Sequence, residues 1–310
     1  MRAFATPDYG VTPAVHDIAV PEPGSGELRV RVHAASINGF DQAVAGGYLK
    51  GMMEHRFPVV LGKDFAGTVD AVGEGVTEFA VGDRVFGVVT KPFLGDGSLG
   101  EYVTVPVAVG VAALPDSIGF IDAGALGLAG AAALAAIDAA QITPNQVILI
   151  AGATGGVGNQ VIQLAAQAGA HVIATAHTDA EREHVRAVGA AEVVDYVGDL
   201  SANVLALHPG GVDTAVHLAG DPAVLLAAIK PHGRLVSSLI GSPDQIPAEN
   251  ITVVSIRADP TPAVLAQLAA NHEQGISQVV IQRTYSLDQT NDALDDFGSG
   301  TLGKLVVVFD

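Results

Sequence analysis

No cysteine occurs in the 310 residues. That excludes disulfides, thiol nucleophiles and every zinc site that needs a thiolate. Basic residues are also scarce: Lys plus Arg number 15 against 33 Asp plus Glu, a net charge of −18. An acidic surface of this size argues against nucleic acid and anionic membranes as partners. An anionic cofactor would have to be held by local positive groups and backbone dipoles. None of the ten histidines pairs as His-x-x-x-His, so no metal ligands are expected. The start of the chain, Met1-Arg2-Ala3-Phe4-Ala5-Thr6-Pro7, has no long apolar core, so no secretory signal is read and a cytoplasmic location is expected. The uncharged stretch Ala123 to Ile137 lies between Asp122 and Asp138 and falls short of the ~20 residues of a membrane span. There is no internal repeat and no low-complexity linker. Charged residues make up only 15 % and apolar ones 49 %, so disorder is not expected and the length allows two domains with large cores.

What the chain does have is one organising stretch. Val147-Ile148-Leu149-Ile150-Ala151 runs into Gly152-Ala153-Thr154-Gly155-Gly156-Val157-Gly158, followed by Val161, Leu164, Ala165 and Ala168 at helical spacing. This reads as buried strand, tight turn and helix. Such a turn aims backbone N–H groups and the positive end of a helix at one point, where a phosphate can sit. Gly155 would admit a pyrophosphate close to the backbone, and Gly158 would let the helix pack against the strand. Ala153 stands at the first glycine of G-x-G-x-x-G, although Gly152, Gly155 and Gly158 also fit G-x-x-G-x-x-G. Ala153, Thr154, Gly155, Gly156 and Val157 are therefore expected to hold a dinucleotide.

The first third reads as β. Leu28, Val30, Val32 and Ala34 alternate with Arg29, Arg31 and His33, and short strands follow at 65–72, 84–89 and 101–105. The rhythm then changes to strands at 147–151, 171–176, 192–196, 212–218 and 234–240, with helices at 157–168, 179–188, 200–207 and 222–230. That alternation implies a parallel sheet covered on both faces. Thr178-Asp179-Ala180-Glu181 forms a capping box, with Gly189 to close the helix. Beyond it, strands are expected at 251–256, 279–281 and 304–309, and helices near 262–273 and 288–297.

The second strand of the parallel sheet ends in Thr175-Ala176-His177-Thr178, with no carboxylate at its tip to take the ribose 2′-OH. His177, Thr178 and Arg182 could instead surround a 2′-phosphate. NADPH is therefore expected ahead of NADH, with Asp179 and Glu181 weighing for NADH. Thr178 acting only as a cap, and Arg182 only as a solvated helix residue, remain open.

Ile37-Asn38-Gly39-Phe40-Asp41, the run from Phe57 to Gly67, Val81-Gly82-Asp83-Arg84-Val85, Gly100-Glu101-Tyr102-Val103, the glycine turn and Leu302-Gly303-Lys304 together resemble the zinc-free quinone oxidoreductase-like branch of the medium-chain dehydrogenase/reductase superfamily. The resemblance implies an α/β architecture: a Rossmann doubly wound parallel sheet over 117–251, and a GroES-like β-rich catalytic domain over 1–116 to which 252–310 return. It implies NADPH-linked, metal-free reduction of a quinone or of the C=C bond of an α,β-unsaturated carbonyl, in a homodimer. Zinc-dependent relatives place a cysteine at Asn38 and Gly-His-Glu at Gly62-Lys63-Asp64, so the zinc site is not expected to form.

The resemblance also assigns residues. Asn38 is expected near the nicotinamide, and Asp41 to order its own turn. Tyr196 is a wall of the 2′-phosphate pocket. Ile240 closes over the nicotinamide, and Lys304 either approaches the pyrophosphate or simply starts the last strand. Tyr48 follows Gly46-Gly47 on a loop expected to face the cleft, as a proton donor or as a half-buried packing residue. Lys63 polarises substrate or is solvated or salt-bridged. Two departures stand out. Ala132 replaces a threonine that helps fix the nicotinamide, and His217-Leu218-Ala219-Gly220 replaces Asp-x-x-Gly. His217 could reach the ribose or substrate, or be a hydrogen-bonded histidine behind the site. A protein that binds NADPH without catalysis, as a structural or redox-sensing homologue, stays open as the alternative. A polyketide-type enoyl reductase domain is disfavoured by the free-standing length.

Overall fold

The computed structural model describes all residues, Met1–Asp310. The chain forms two compact units: Met1–Leu128 with Pro260–Gln274 and Val279–Asp310, and Ala129–Asp259 with Gly275–Gln278.

The first unit contains β1 (Arg2–Thr6), β2 (Ala14–Asp17), β3 (Glu27–Ser36), α1 (Gly39–Ala45), β4 (Glu54–His55), β5 (Val59–Val60), β6 (Asp64–Val72), β7 (Arg84–Val88), β8 (Phe93–Leu94), β9 (Tyr102–Pro106) and β10 (Val111–Ala113). The returning C-terminal part adds α7 (Pro262–Glu273), β17 (Ile281–Ser286), α8 (Thr290–Gly298) and β18 (Lys304–Val308). The main sheet runs β10-β7-β6-β3-β18-β17, with β9 also paired to β3. β3 shows why the alternation was informative: Leu28, Val30, Val32 and Ala34 are buried. Its other face is only partly wet, since Arg29 pairs with Asp70 at 2.6 Å and the His33 ring stacks on Phe120 at 4.5 Å.

The long helix α2 (Phe120–Ala140) crosses the division between the units, which falls at Leu128/Ala129 rather than before the helix at 116/117. Its first half belongs with β3 and β6: a side chain at Gly124 would meet the Ala34 carbonyl at 2.7 Å. The uncharged stretch 123–137 is thus only part of a 21-residue helix, long and apolar enough to cross a membrane, with 56 % of its most apolar window buried.

The second unit is built on β11 (Val147–Ala151), α3 (Gly156–Gln167), β12 (His171–Thr175), α4 (Asp179–Ala187), β13 (Glu192–Val194), α5 (Leu200–Leu207), β14 (Val212–His217), α6 (Pro222–Ala228), β15 (Ile229–Ser237) and β16 (Thr252–Ser255). All six strands are parallel, in the order β13-β12-β11-β14-β15-β16. This is the expected doubly wound sheet. β11 is apolar throughout because both faces are covered. Ile148 and Ile150 pack with Val161 and Ala165 of α3, while Leu149 and Ala151 face the core containing Leu225 and Leu235.

Candidate functional site

In the second unit, β11 ends at the glycine turn. Gly152 takes a left-handed φ of +83°, and its missing side chain leaves room for Leu218 and Ala219 to pack against it. Gly155 is the N-cap of α3 and has no side chain to cap it, so the N–H groups of the first turn, at Gly156 and Val157, face outward as at any helix start. Thr154 is half-buried and Ala153 is fully buried. A Cβ at Gly158 would collide with the Gly152 carbonyl and come within 2.7 Å of Ala153 Cα. The helix therefore lies against the turn because this position has no side chain.

A residue the sequence reading missed holds the turn. The Asn159 side-chain amide donates to the carbonyls of Ala153, Thr154 and Gly155 at 3.2, 2.8 and 2.9 Å. Asn159 Oδ1 accepts from His184 Nε2 at 2.7 Å, and burial holds this histidine's pKa below its usual value, so the neutral ring is the donor.

At the tip of β12, Thr178 caps α4, accepting from Glu181 N at 3.2 Å, and Gly189 closes the helix with φ +115°. His177, Arg182 and Tyr196 do come together: the His177 and Tyr196 rings lie 5.9 Å apart. The expectation of no carboxylate at this tip is corrected. Asp195, just past β13, accepts from His177 Nδ1 at 3.0 Å and from Arg182 Nη2 at 2.9 Å. Glu181 takes the backbone N–H of His177 and the Tyr196 hydroxyl. No sequence signal marked Asp195, because sheet register alone brings β13 beside β12.

His217 ends β14 next to Ala151 and is only 2 % exposed. Its Nε2 donates to Gly220 O at 3.1 Å and its Nδ1 accepts from Ser237 Oγ at 2.9 Å. Both nitrogens are spent, so it braces the turn rather than reaching for a ligand. Leu218 N donates to Ala151 O. Ile240 is half-buried and its carbonyl accepts from Ser255 Oγ.

In the first unit the polar cluster around Asn38 is buried and fully paired. Asn38 Nδ2 donates to Asp64 Oδ2 at 2.9 Å and to Ser36 O at 3.2 Å. Asp64 Oδ2 also accepts from Ser36 Oγ at 2.6 Å, and Oδ1 from Leu128 N at 2.6 Å. Lys304 Nζ donates to Asn38 Oδ1 at 2.6 Å and to Ile37 O at 3.0 Å, 3.6 Å from Asp64 Oδ2. Its 4 % exposure leaves it no reach toward a pyrophosphate, contrary to that expectation. Burial lowers its pKa, against the opposing pull of Asp64 and Asp41.

Asp41 orders its turn, accepting from Asn38 N at 2.8 Å and Gly62 N at 3.0 Å. Burial pushes its carboxyl up to about 7. An unfolded chain would release that proton near 3.8, so folding takes up a proton in between. The contribution of Asp41 to stability is present at low pH and fades as pH rises through this window. Unfolding free energy measured from about pH 4 to about 7 should show a downward component of up to one proton, which Asp41→Asn removes.

Tyr48 is 77 % exposed, which corrects the half-buried alternative. It lines a groove of about 460 Å³ with Gln42, Gly46, Asn291 and Asp295 rather than with Asn38. Lys63 is neither salt-bridged nor fully solvated. Its Nζ lies 4.8 Å over the Phe40 ring, and burial lowers its pKa. The cluster does not suit zinc. Asn38 stands where a thiolate would be, its amide hydrogens are spent, and an ammonium already faces Asp64.

Residues 24–116 match the family model described as the alcohol dehydrogenase GroES-like domain, and residues 156–258 the one described as zinc-binding dehydrogenase. The chloroplast envelope quinone oxidoreductase homolog of Arabidopsis thaliana is 30 % identical over 309 residues, covering 94 % of this chain and 92 % of that one. The quinone oxidoreductase of Sus scrofa is 29 % identical over 314 residues, with the same coverage. The solved quinone oxidoreductase of Coxiella burnetii superposes with a TM-score of 0.89 at 26 % identity, over 100 % of this chain and 99 % of that one. A GroES-like β-rich unit, a Rossmann-type parallel sheet and this full-length likeness lead to one conclusion: the chain is an oxidoreductase belonging to the quinone oxidoreductase-like branch of the medium-chain dehydrogenase/reductase superfamily.

Proposed function

We propose that the protein is an NADPH-dependent, metal-free reductase acting on a quinone or on the C=C bond of an α,β-unsaturated carbonyl. The observation that carries the cofactor choice is at the tip of β12, where the Arg182 guanidinium and the His177 ring converge on one anionic point, Asp195. A 2′-phosphate offers the same two donors a more highly charged acceptor. The glycine turn and the start of α3 would take the diphosphate, since Gly158 lets the helix start lie against the turn and Asn159 fixes the turn carbonyls. Bound there, the dinucleotide supplies a hydride. The chain's own contribution is to hold, orient and protonate. His217, locked between Ser237 and Gly220, keeps the β14 turn rigid. Tyr48, which is largely exposed, and Lys63, whose ammonium meets only the Phe40 ring, each keep a donor hydrogen free, and we assign the proton to one of them. Similarity over nearly the whole chain to proteins named quinone oxidoreductases supports the substrate class.

The test has two parts. Purified protein mixed with NADPH and a panel of quinones and enones should oxidise the cofactor. Tight NADPH binding without turnover across the panel would leave a dinucleotide-binding protein only. In fluorescence titrations NADPH should bind more tightly than NADH. Arg182→Ala should weaken NADPH by about 10- to 100-fold, the worth of a charge-assisted hydrogen bond, and leave NADH nearly unchanged. Asp195→Asn should tighten NADPH by removing a like charge. Equal losses for both cofactors in Arg182→Ala would rule out a 2′-phosphate contact.

A further inference from the structure

The opposite end of the parallel sheet carries a cluster that dinucleotide binding leaves unused. His171 opens β12, Glu192 opens β13, and His208 is the C-cap of α5. Their separations in sequence are 21 and 16 residues, so no local motif marks them. Strand register and the end of α5 bring them together. His171 Nε2 lies 2.8 Å from Glu192 Oε1, and His208 Nε2 lies 3.1 Å from Glu192 Oε2. The two rings are 5.5 Å apart. The ligand atoms of all three residues fall within 4.8 Å of one another.

We propose that His171, Glu192 and His208 form a site for one divalent cation of the zinc, nickel or copper class. Two imidazoles and a carboxylate are the donor set such ions prefer, whereas magnesium and calcium take oxygen ligands. Tetrahedral zinc with bonds near 2.0–2.1 Å needs donor atoms roughly 3.3 Å apart. The observed spacing reaches that with small side-chain rotations, the ion replacing the two bridging hydrogen bonds. The side chains are 38 %, 32 % and 22 % exposed, so the ion has an entry path and a coordination position left for water. His208 also sits at the C-terminal end of α5, where the helix dipole favours positive charge. An ion here would tie the short edge strand β13 and the end of α5 to β12. From His171 to the cofactor-side end of β12 at Thr175 is about 13 Å at the usual strand rise, so the site would work on stability rather than on the chemistry.

Full-length protein stripped with a chelator and titrated with zinc chloride in a calorimeter should bind one equivalent, with dissociation in the micromolar range. Magnesium should give no heat of binding. Saturating zinc should raise the melting temperature by several degrees, since only the folded chain assembles the site. His171→Ala and His208→Ala should each weaken zinc at least about 100-fold, more than loss of an outer-shell partner would, with unchanged circular dichroism. Absence of saturable binding in the unmodified protein, or undiminished binding in the double variant carrying both His171→Ala and His208→Ala, would overturn the site. Should the double variant not fold, an anomalous difference map from a zinc-soaked crystal decides: a peak bounded by these three side chains supports the proposal, and its absence there refutes it.

Discussion

Lys304→Met should cost about 3–5 kcal/mol of folding stability, the usual penalty for removing one partner of a buried charged cluster. The side chain is buried at the start of β18, and its ammonium lies among Ile37 O, Asn38 Oδ1 and Asp64 Oδ2. Methionine fills a similar volume, so the change is electrostatic rather than steric. Asp64, with no exposure, would keep its donors Ser36, Asn38 and Leu128 N but lose the ammonium 3.6 Å from its Oδ2. Asn38 Oδ1 would lose its donor while Nδ2 keeps Asp64 and Ser36 O. Adding Asp64→Asn should recover part of the loss, because removing both charges leaves no unpaired ion. Chemical denaturation of the single and double variants measures this directly. A loss below about 1 kcal/mol, the scale of a surface pair, combined with weaker NADPH binding, would return Lys304 to the diphosphate.

This cluster also shows where sequence reasoning stops. Periodicity revealed β3, β11 and the helices α3, α4 and α5 because each element's own residues encode it. The capping box at Thr178 and the closing Gly189 were legible for the same reason. The last strands were harder. β17 was expected over 279–281 from its apolar run, yet it spans Ile281–Ser286. It is the sheet edge, and Gln282, Arg283 and Thr284 face solvent there, as an edge strand that avoids further pairing should. β15 starts at Ile229, ahead of the expected 234, through a register irregularity that Pro231 and Gly233 disguise. In the first unit Asn38, and in the second His177, Arg182 and Tyr196, could be picked out from the chain. Their partners Asp64 and Asp195 could not, because each contact joins elements whose proximity exists only after folding. Asp64 sits 26 residues from Asn38, and Lys304 266.

The second large effect concerns the turn itself. Gly158→Val should cost at least about 1–3 kcal/mol, the range for overpacking a close-packed contact, and weaken NADPH by more than tenfold. Even the first added carbon would meet the Gly152 carbonyl and lie 2.7 Å from both the Cα and the carbonyl oxygen of Ala153. These are backbone atoms and cannot swing aside as a side chain would. Relief therefore requires α3 to move away from β11, and with it the first-turn N–H groups. That movement would also stretch the bonds from Asn159 to the Ala153, Thr154 and Gly155 carbonyls, so the turn would lose its brace as well as its depth. Gly210→Ala is the matching control in the same unit, since nothing lies within 4 Å of a Cβ there and its φ is ordinary. It should leave both stability and binding close to unchanged. Thermal denaturation and NADPH titration of the two variants separate the cases. If Gly158→Val lost stability but bound NADPH normally, the glycine would serve only helix packing, and the dinucleotide would have to be held by something other than the start of α3.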